Sequence, residues 1–161
     1  MKTAFFPGSF DPITLAHIDL VQRGLSLFDK VVVGLGVNTN KAGLIPYEDR
    51  LELLKVVFAT FGPRVEVISF TGLTIDACRH YQATHILRGM RNTIDFEYEK
   101  GIAANNKGLS PEIETVFLLA DGNLAHLSST IVRELLLNEA SVSHLVPKEV
   151  QAYWQLKKSR G

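Results

Sequence analysis

The sequence is poor in cysteine, in net charge and in long apolar runs. Its one cysteine, Cys78, can form neither an internal disulfide nor a multi-thiolate metal site, so a reducing compartment suits the chain. Lys and Arg together number 17, as do Asp and Glu, and the formal net charge is zero. Proteins that grip nucleic acid or anionic membranes nonspecifically carry a basic excess, which is missing here, so neither partner is expected. No stretch approaches the ~18 apolar residues needed to span a bilayer, and the start, Lys2-Thr3-Ala4-Phe5-Phe6-Pro7, has no extended apolar signal region. A cytoplasmic enzyme is expected.

What is present is average and globular. Of 161 residues, 46% are hydrophobic and 21% charged, which excludes a disordered tail or a collagen-like chain. That length is close to one domain at ~150 residues per domain, so residues 1–161 are expected to form a single domain. Short apolar runs alternate with stretches of helical spacing, separated by Gly, Pro or Asn. The pattern predicts strands at Lys2–Phe6, Lys30–Val37, Arg64–Phe70, His85–Leu87 and Glu114–Leu119. Helices are predicted at about Leu15–Phe28, Tyr47–Phe61, Thr74–Tyr81, Ile94–Asn106, Ser129–Asn138 and Pro147–Lys157. The segment Val31-Val32-Val33-Gly34-Leu35-Gly36-Val37 reads as a central strand buried on both faces. The expected fold is α/β, a doubly wound five-stranded parallel sheet of the Rossmann-like dinucleotide-binding type, whose ligands sit beyond the carboxyl ends of the strands.

Those strand ends carry the chemistry. After the first comes Pro7-Gly8-Ser9-Phe10-Asp11-Pro12-Ile13-Thr14-Leu15-Ala16-His17, a pre-shaped loop in which Thr14 suits an N-cap. His17 is then the third helical residue, beside free N–H groups and the positive end of the helix dipole, where a phosphate is favoured. An ordinary capped helix with a surface His explains the same residues. A second such start is Leu127-Ser128-Ser129-Thr130-Ile131-Val132-Arg133, and two at one end of a sheet point to one crevice. Lys41 follows the second strand, and Arg88 and Arg91 follow the fourth, types suited to gripping phosphate. In Asp95-Phe96-Glu97-Tyr98-Glu99 the acidic side chains complement a helix dipole. Neither a G-x-x-x-x-G-K-[ST] loop nor a G-x-G-x-x-G turn is present. Cys78 reads as core, and His80, His85, His126 and His144 show no metal-ligand spacing, so no protein metal ligands are assigned.

These segments, from Pro7-Gly8-Ser9-Phe10-Asp11-Pro12 and Thr14-Leu15-Ala16-His17 through Lys41, Arg88-Gly89-Met90-Arg91 and Asp95–Glu99 to Ser128-Ser129-Thr130, strongly resemble bacterial phosphopantetheine adenylyltransferases. The likeness covers nearly the whole chain. The first and last segments alone identify only the wider nucleotidyltransferase superfamily, related to class I aminoacyl-tRNA synthetases. The Arg-Gly-x-Arg segment with its acidic helix indicates the pantetheine branch.

The resemblance implies transfer of an adenylyl group from ATP to 4′-phosphopantetheine, giving dephospho-CoA and pyrophosphate in coenzyme A synthesis. It implies His17, Lys41 and Arg88 as catalytic residues. On the ATP side it implies Ser9, Phe10, His17, Gly89, Met90, Arg91, Glu99, Leu124, Ala125, His126, Leu127, Ser128, Ser129 and Thr130. For the acceptor it implies Ser9, Lys41, Thr74 and Arg88. It further implies Mg²⁺ with ATP, a homohexamer and feedback inhibition by coenzyme A. The family usually has Thr-x-Gly-His, whereas Ala16 stands in the glycine's place here, adding a methyl where a phosphate approaches. Two alternatives remain: a nucleotidyltransferase for nicotinamide mononucleotide or a polyol phosphate, which Arg88–Glu99 argues against, and a non-catalytic nucleotide-binding sensor, which His17, Lys41 and Arg88 argue against.

Overall fold

The computed structural model describes residues 1–37 and 43–160. Five strands, β1 (Thr3–Gly8), β2 (Lys30–Gly36), β3 (Val65–Phe70), β4 (His85–Met90) and β5 (Glu114–Leu119), form one sheet. All pair in parallel, in the order β3-β2-β1-β4-β5. Six α-helices accompany them: α1 (Leu15–Gly24), α2 (Tyr47–Phe58), α3 (Thr74–His80), α4 (Thr93–Leu109), α5 (Ser129–Leu137) and α6 (Lys148–Arg160). This is the expected doubly wound, Rossmann-like arrangement. The strand order reverses between β1 and β4, which makes that gap the switch point where such sheets bind ligands.

Strand alternation sends residues to two layers. Ala4, Phe6, Val31, Val33, Leu35 and Leu87 join the larger core with side chains of α1, α2, α5 and α6. Phe5, Val32 and Ile86 face the other side, with Ile75, Ala77 and Cys78 of α3. Cys78 is fully buried, and burial pushes its thiol up to about 12, which suits core packing rather than nucleophilic work.

Several boundaries differ from the sequence-based expectation: β1 runs on through Pro7 and Gly8, read as loop, α4 to Leu109 and α6 to Arg160, and three further differences have local physical reasons. The first helix stops at Gly24, because the amides of Ser26 and Leu27 bond three residues back rather than four, tightening the chain into a turn before the buried Phe28. The second stops at Phe58 and passes into a 3-10 segment, Ala59–Arg64, where Gly62 takes a positive φ before Pro63. The strand expected at His85–Leu87 continues through Arg88 and Gly89 to Met90, because pairing with Phe117, Leu118 and Leu119 of β5 holds it extended. Arg88 is therefore a strand residue rather than part of a following loop.

The opposite edge of β4 behaves differently. Its pairing with β1 ends at Phe5 and Ile86, and Pro7 carries no N–H with which to extend the ladder. The sheet opens there. At the packed centre, a Cβ on Gly34 would drive into the Phe5 ring. Gly34→Ala is therefore expected to cost about 1–3 kcal/mol of stability, seen as a lower urea midpoint at unchanged slope, and an unchanged midpoint would contradict this packing.

Candidate active site

Two cavities open at the carboxyl ends of the strands. One, of about 530 Å³, lies on the β2 and β3 side and is lined by Val37, Phe70, Thr74, Ile102 and Asn106 among others. The second, of about 330 Å³, lies over the starts of α1 and α5 and includes His17, Arg91, Ser128 and Thr130. Pro7, Gly8, Ser9, Arg88 and Glu99 border both cavities. A ligand group in either one thus meets the same strip of protein.

The loop after β1 is shaped by tethers that arrive from distant parts of the chain. Arg50 Nη1 donates to the Ser9 carbonyl at 2.7 Å. The buried Asp11 carboxylate accepts from the backbone N–H groups of Leu44 and Ile45, both at 2.9 Å. Arg133 Nη1 donates to the Asp11 carbonyl, and the Ser129 hydroxyl to the Pro12 carbonyl, each at 2.8 Å. Phe10, with φ of 44°, holds a left-handed backbone that costs a non-glycine residue about 1–3 kcal/mol, so these bonds maintain a strained turn. Phe10 is 2% exposed, and its ring packs edge-on against Phe6 and His17 at the cavity wall.

Thr14 is the N-cap of α1 and His17 its third residue, as the sequence suggested. The His17 N–H donates to the Thr14 carbonyl at 3.1 Å, and the cap is closed from the His17 side, whose ring returns to the Thr14 N–H. His17 Nδ1 accepts from that N–H at 3.0 Å and lies 3.0 Å from the Thr14 hydroxyl. An Nδ1 that accepts carries no proton, so the neutral ring keeps its proton on Nε2. Burial, reinforced by the charges of Arg88 and Arg91, holds the imidazole down to about 4. At neutral pH, His17 is thus an uncharged donor.

Backbone donors surround it. In the first turn of α1 the Leu15 N–H donates to the Leu145 carbonyl, and those of His17 and Ile18 to the Thr14 carbonyl, which leaves the Ala16 N–H uncommitted beside the cavity. Ser128 caps α5 by accepting from the Ile131 N–H at 3.2 Å, leaving the amides of Ser129 and Thr130 available. Two helix starts thus present N–H groups to one cavity, a suitable arrangement for anions.

The arginines are less free than their sequence positions suggest. Arg88 Nε donates to Glu99 at 2.8 Å, its Nη2 donates to the second oxygen of the same carboxylate, and its Nη1 donates to the Pro7 carbonyl at 2.9 Å. Arg91 forks onto Asp95 at 2.8 and 3.2 Å. Acidic partners therefore offset part of both charges inside the crevice, and what remains still acts on His17.

Among the residues expected from sequence, Ser9, Phe10, His17, Thr74, Arg88, Gly89, Arg91, Glu99, Leu124, Leu127, Ser128, Ser129 and Thr130 border one cavity or both. Met90 is buried at the end of β4 and lines neither, and Ala125 and the exposed His126 also lie outside both linings. Lys41 falls outside the described residues. Asp11, Arg50 and Arg133, which shape the loop, had no role assigned from sequence, because nothing local to them signals partners so far along the chain. Among the described residues no three His, Cys, Asp or Glu side chains gather to hold a metal.

The lowered His17 value fixes a sign. As pH falls from about 6.5 toward 4, the unfolded chain takes up the His17 proton before the native chain does, so native stability declines across that window. Melting temperature should fall over the same range, and His17→Gln should flatten that part of the curve; an equally steep curve in the variant would contradict the assignment.

Comparison with known proteins agrees with this geometry. Residues 5–135 match the cytidylyltransferase-like family. Over 151 residues the chain is 47% identical to a phosphopantetheine adenylyltransferase of Flavobacterium psychrophilum, covering 94% of this chain and 99% of that protein. It is similar to the enzyme of that name from Clostridium botulinum, at 46% over 150 residues, 93% of this chain and 94% of the other. A third, from Flavobacterium johnsoniae, is 46% identical over 151 residues, covering 94% and 98%.

Proposed function

The chain belongs to the phosphopantetheine adenylyltransferases, and with them to the cytidylyltransferase-like family, and from that premise we propose how its crevice works. It transfers the adenylyl group of ATP to 4′-phosphopantetheine, yielding dephospho-CoA and pyrophosphate. The observation that carries the mechanism is the pair of cavities with one shared border. ATP occupies the cavity over the two helix starts, and the acceptor extends its pantetheine arm into the larger one, past Thr74. Their phosphates meet at Ser9 and Arg88.

The acceptor phosphate is already ionised, so no general base is required. One of its oxygens bonds to the α-phosphorus of ATP, the bond from that phosphorus to the bridging oxygen breaks in line, and pyrophosphate leaves without a covalent enzyme intermediate. Catalysis then consists of positioning and of stabilising charge on the α-phosphate. Arg88 and Lys41 hold the acceptor phosphate. His17 donates from Nε2 to a phosphoryl oxygen, a role that needs no change in its charge. Gly89 and Arg91 with the stretch from Leu124 to Thr130 receive the nucleotide, and the Ala16 methyl sits on that wall beside His17.

Mg²⁺ fits as a companion of ATP rather than a resident of the protein. Of the carboxylates at the nucleotide cavity, Asp19, Asp95 and Glu99 are already paired with Arg23, Arg91 and Arg88, which leaves Asp121, whose Oδ1 accepts from the Asn123 N–H. Asp121 would be the side chain to hold a Mg²⁺ that arrives with ATP, and when bound the ion would supply neutralisation of phosphate charge. Coenzyme A carries the acceptor's arm and acts as a competing inhibitor in the same cavity. We also assign a single nucleotidyltransferase domain, a cytoplasmic location and a homohexamer. The apolar side chains that α4 leaves exposed, Ile94 at 80% and Tyr98 at 70% among them, support assembly with further copies. No helix among the described residues is long and apolar enough to cross a membrane.

Purified chain with ATP should release pyrophosphate with 4′-phosphopantetheine and not with nicotinamide mononucleotide or a polyol phosphate. Release with another acceptor reassigns the substrate, and ATP binding without release supports a sensor. His17→Ala should lower kcat by about 10²–10³-fold with little change in the KM for ATP, as loss of one oxyanion donor does; unchanged turnover would refute the role of His17.

A further inference from the structure

Helix α4 runs for 17 residues, yet its one buried side chain is a carboxylate, Glu99, only 7% exposed. Burial of a charge is unfavourable unless it is paired, and packing alone would call for an apolar residue there. Both Glu99 oxygens are committed to one guanidinium. That guanidinium belongs to Arg88, and the two residues border both cavities.

Counting donors shows what the pairing achieves. Arg has five N–H groups. Nε and one N–H of Nη2 go to Glu99, and one N–H of Nη1 goes to the Pro7 carbonyl. Two N–H groups remain, one on each terminal nitrogen, on a guanidinium held at opposite edges by a buried carboxylate and a strand carbonyl. Its charge is balanced locally.

Within the reading of the site given above, which also puts Glu99 on the ATP side, we infer that Glu99 is a positioning residue that acts through Arg88. It fixes the plane of the guanidinium, so that the two remaining N–H groups face the phosphate at the border of the cavities. It also offsets the Arg88 charge, so the phosphate meets oriented donors rather than an unpaired cation that would hold it strongly in any geometry. Orientation serves the transfer step, whereas an unmasked charge serves ground-state binding.

The two contributions separate in steady-state kinetics. In Glu99→Gln the charge of Arg88 is unmasked and its plane is no longer fixed. The expected result is a fall in kcat of about tenfold or more while the KM for 4′-phosphopantetheine does not rise. In an Arg88→Lys background, Glu99→Gln should add less than about a twofold further loss, because the group it positions is gone. Melting curves of each variant identify any that fail to fold. If Glu99→Gln fails, Glu99→Asp, which keeps the charge but is too short for both bonds, should show the same fall in kcat without a rise in acceptor KM. A KM for ATP raised about tenfold with kcat preserved, or losses that multiply fully in the Arg88→Lys background, would overturn the proposal. Wild-type chain silent with ATP and 4′-phosphopantetheine would instead overturn the reading of the site, so the two failures are distinguishable.

Discussion

Everything at the crevice depends on one short loop being held still. Residues Ser9 to Thr14 leave the central strand, turn through the left-handed backbone of Phe10 and enter α1 at the cap that orients His17. No regular structure stabilises that path. It is fixed instead by Arg50 from α2, by the backbone of Leu44 and Ile45, and by Ser129 and Arg133 from α5. The Leu145 carbonyl, accepting from the Leu15 N–H, holds the entry to the helix. Catalysis by positioning demands placement to a fraction of an ångström, and rigid surrounding elements are what provide it.

The zero net charge of the chain acquires a local meaning from the same region. A crevice for a triphosphate and a phosphate monoester would be expected to carry unopposed positive charge, but its two described arginines are matched by Glu99 and Asp95. On the proposed reading, oriented donors then work beside Lys41: backbone amides at two helix starts, the remaining N–H groups of Arg88 and the Nε2 proton of a neutral His17. Such donors favour charge where it develops, without the deep ground-state well that a bare cation would create.

Much of this was legible in the sequence. The run from Val31 to Val37 announced a buried central strand, and a cap at Thr14 and another at Ser128 or Ser129 announced two helix starts facing one end of a sheet. These signals are local, so a linear reading detects them. What could not be read depends on distance along the chain. Arg88 and Gly89 looked like loop because a charge and a glycine disguise a strand, and only pairing with β5 holds them extended. Asp11 meets residues more than thirty positions away and Arg133 reaches back 122, separations that carry no periodicity. Neutralisation of Arg88 by Glu99 likewise appears only once α4 is laid against β4.

The most direct test of this account is the protonation of the His17 ring in the folded protein, read from its imidazole nitrogen shifts by NMR at about pH 6. The Thr14 N–H donated to Nδ1 and the buried, arginine-flanked site predict a neutral ring with the proton on Nε2 and an accepting Nδ1, with and without ATP. A ring protonated on both nitrogens, or one carrying its proton on Nδ1, would contradict it.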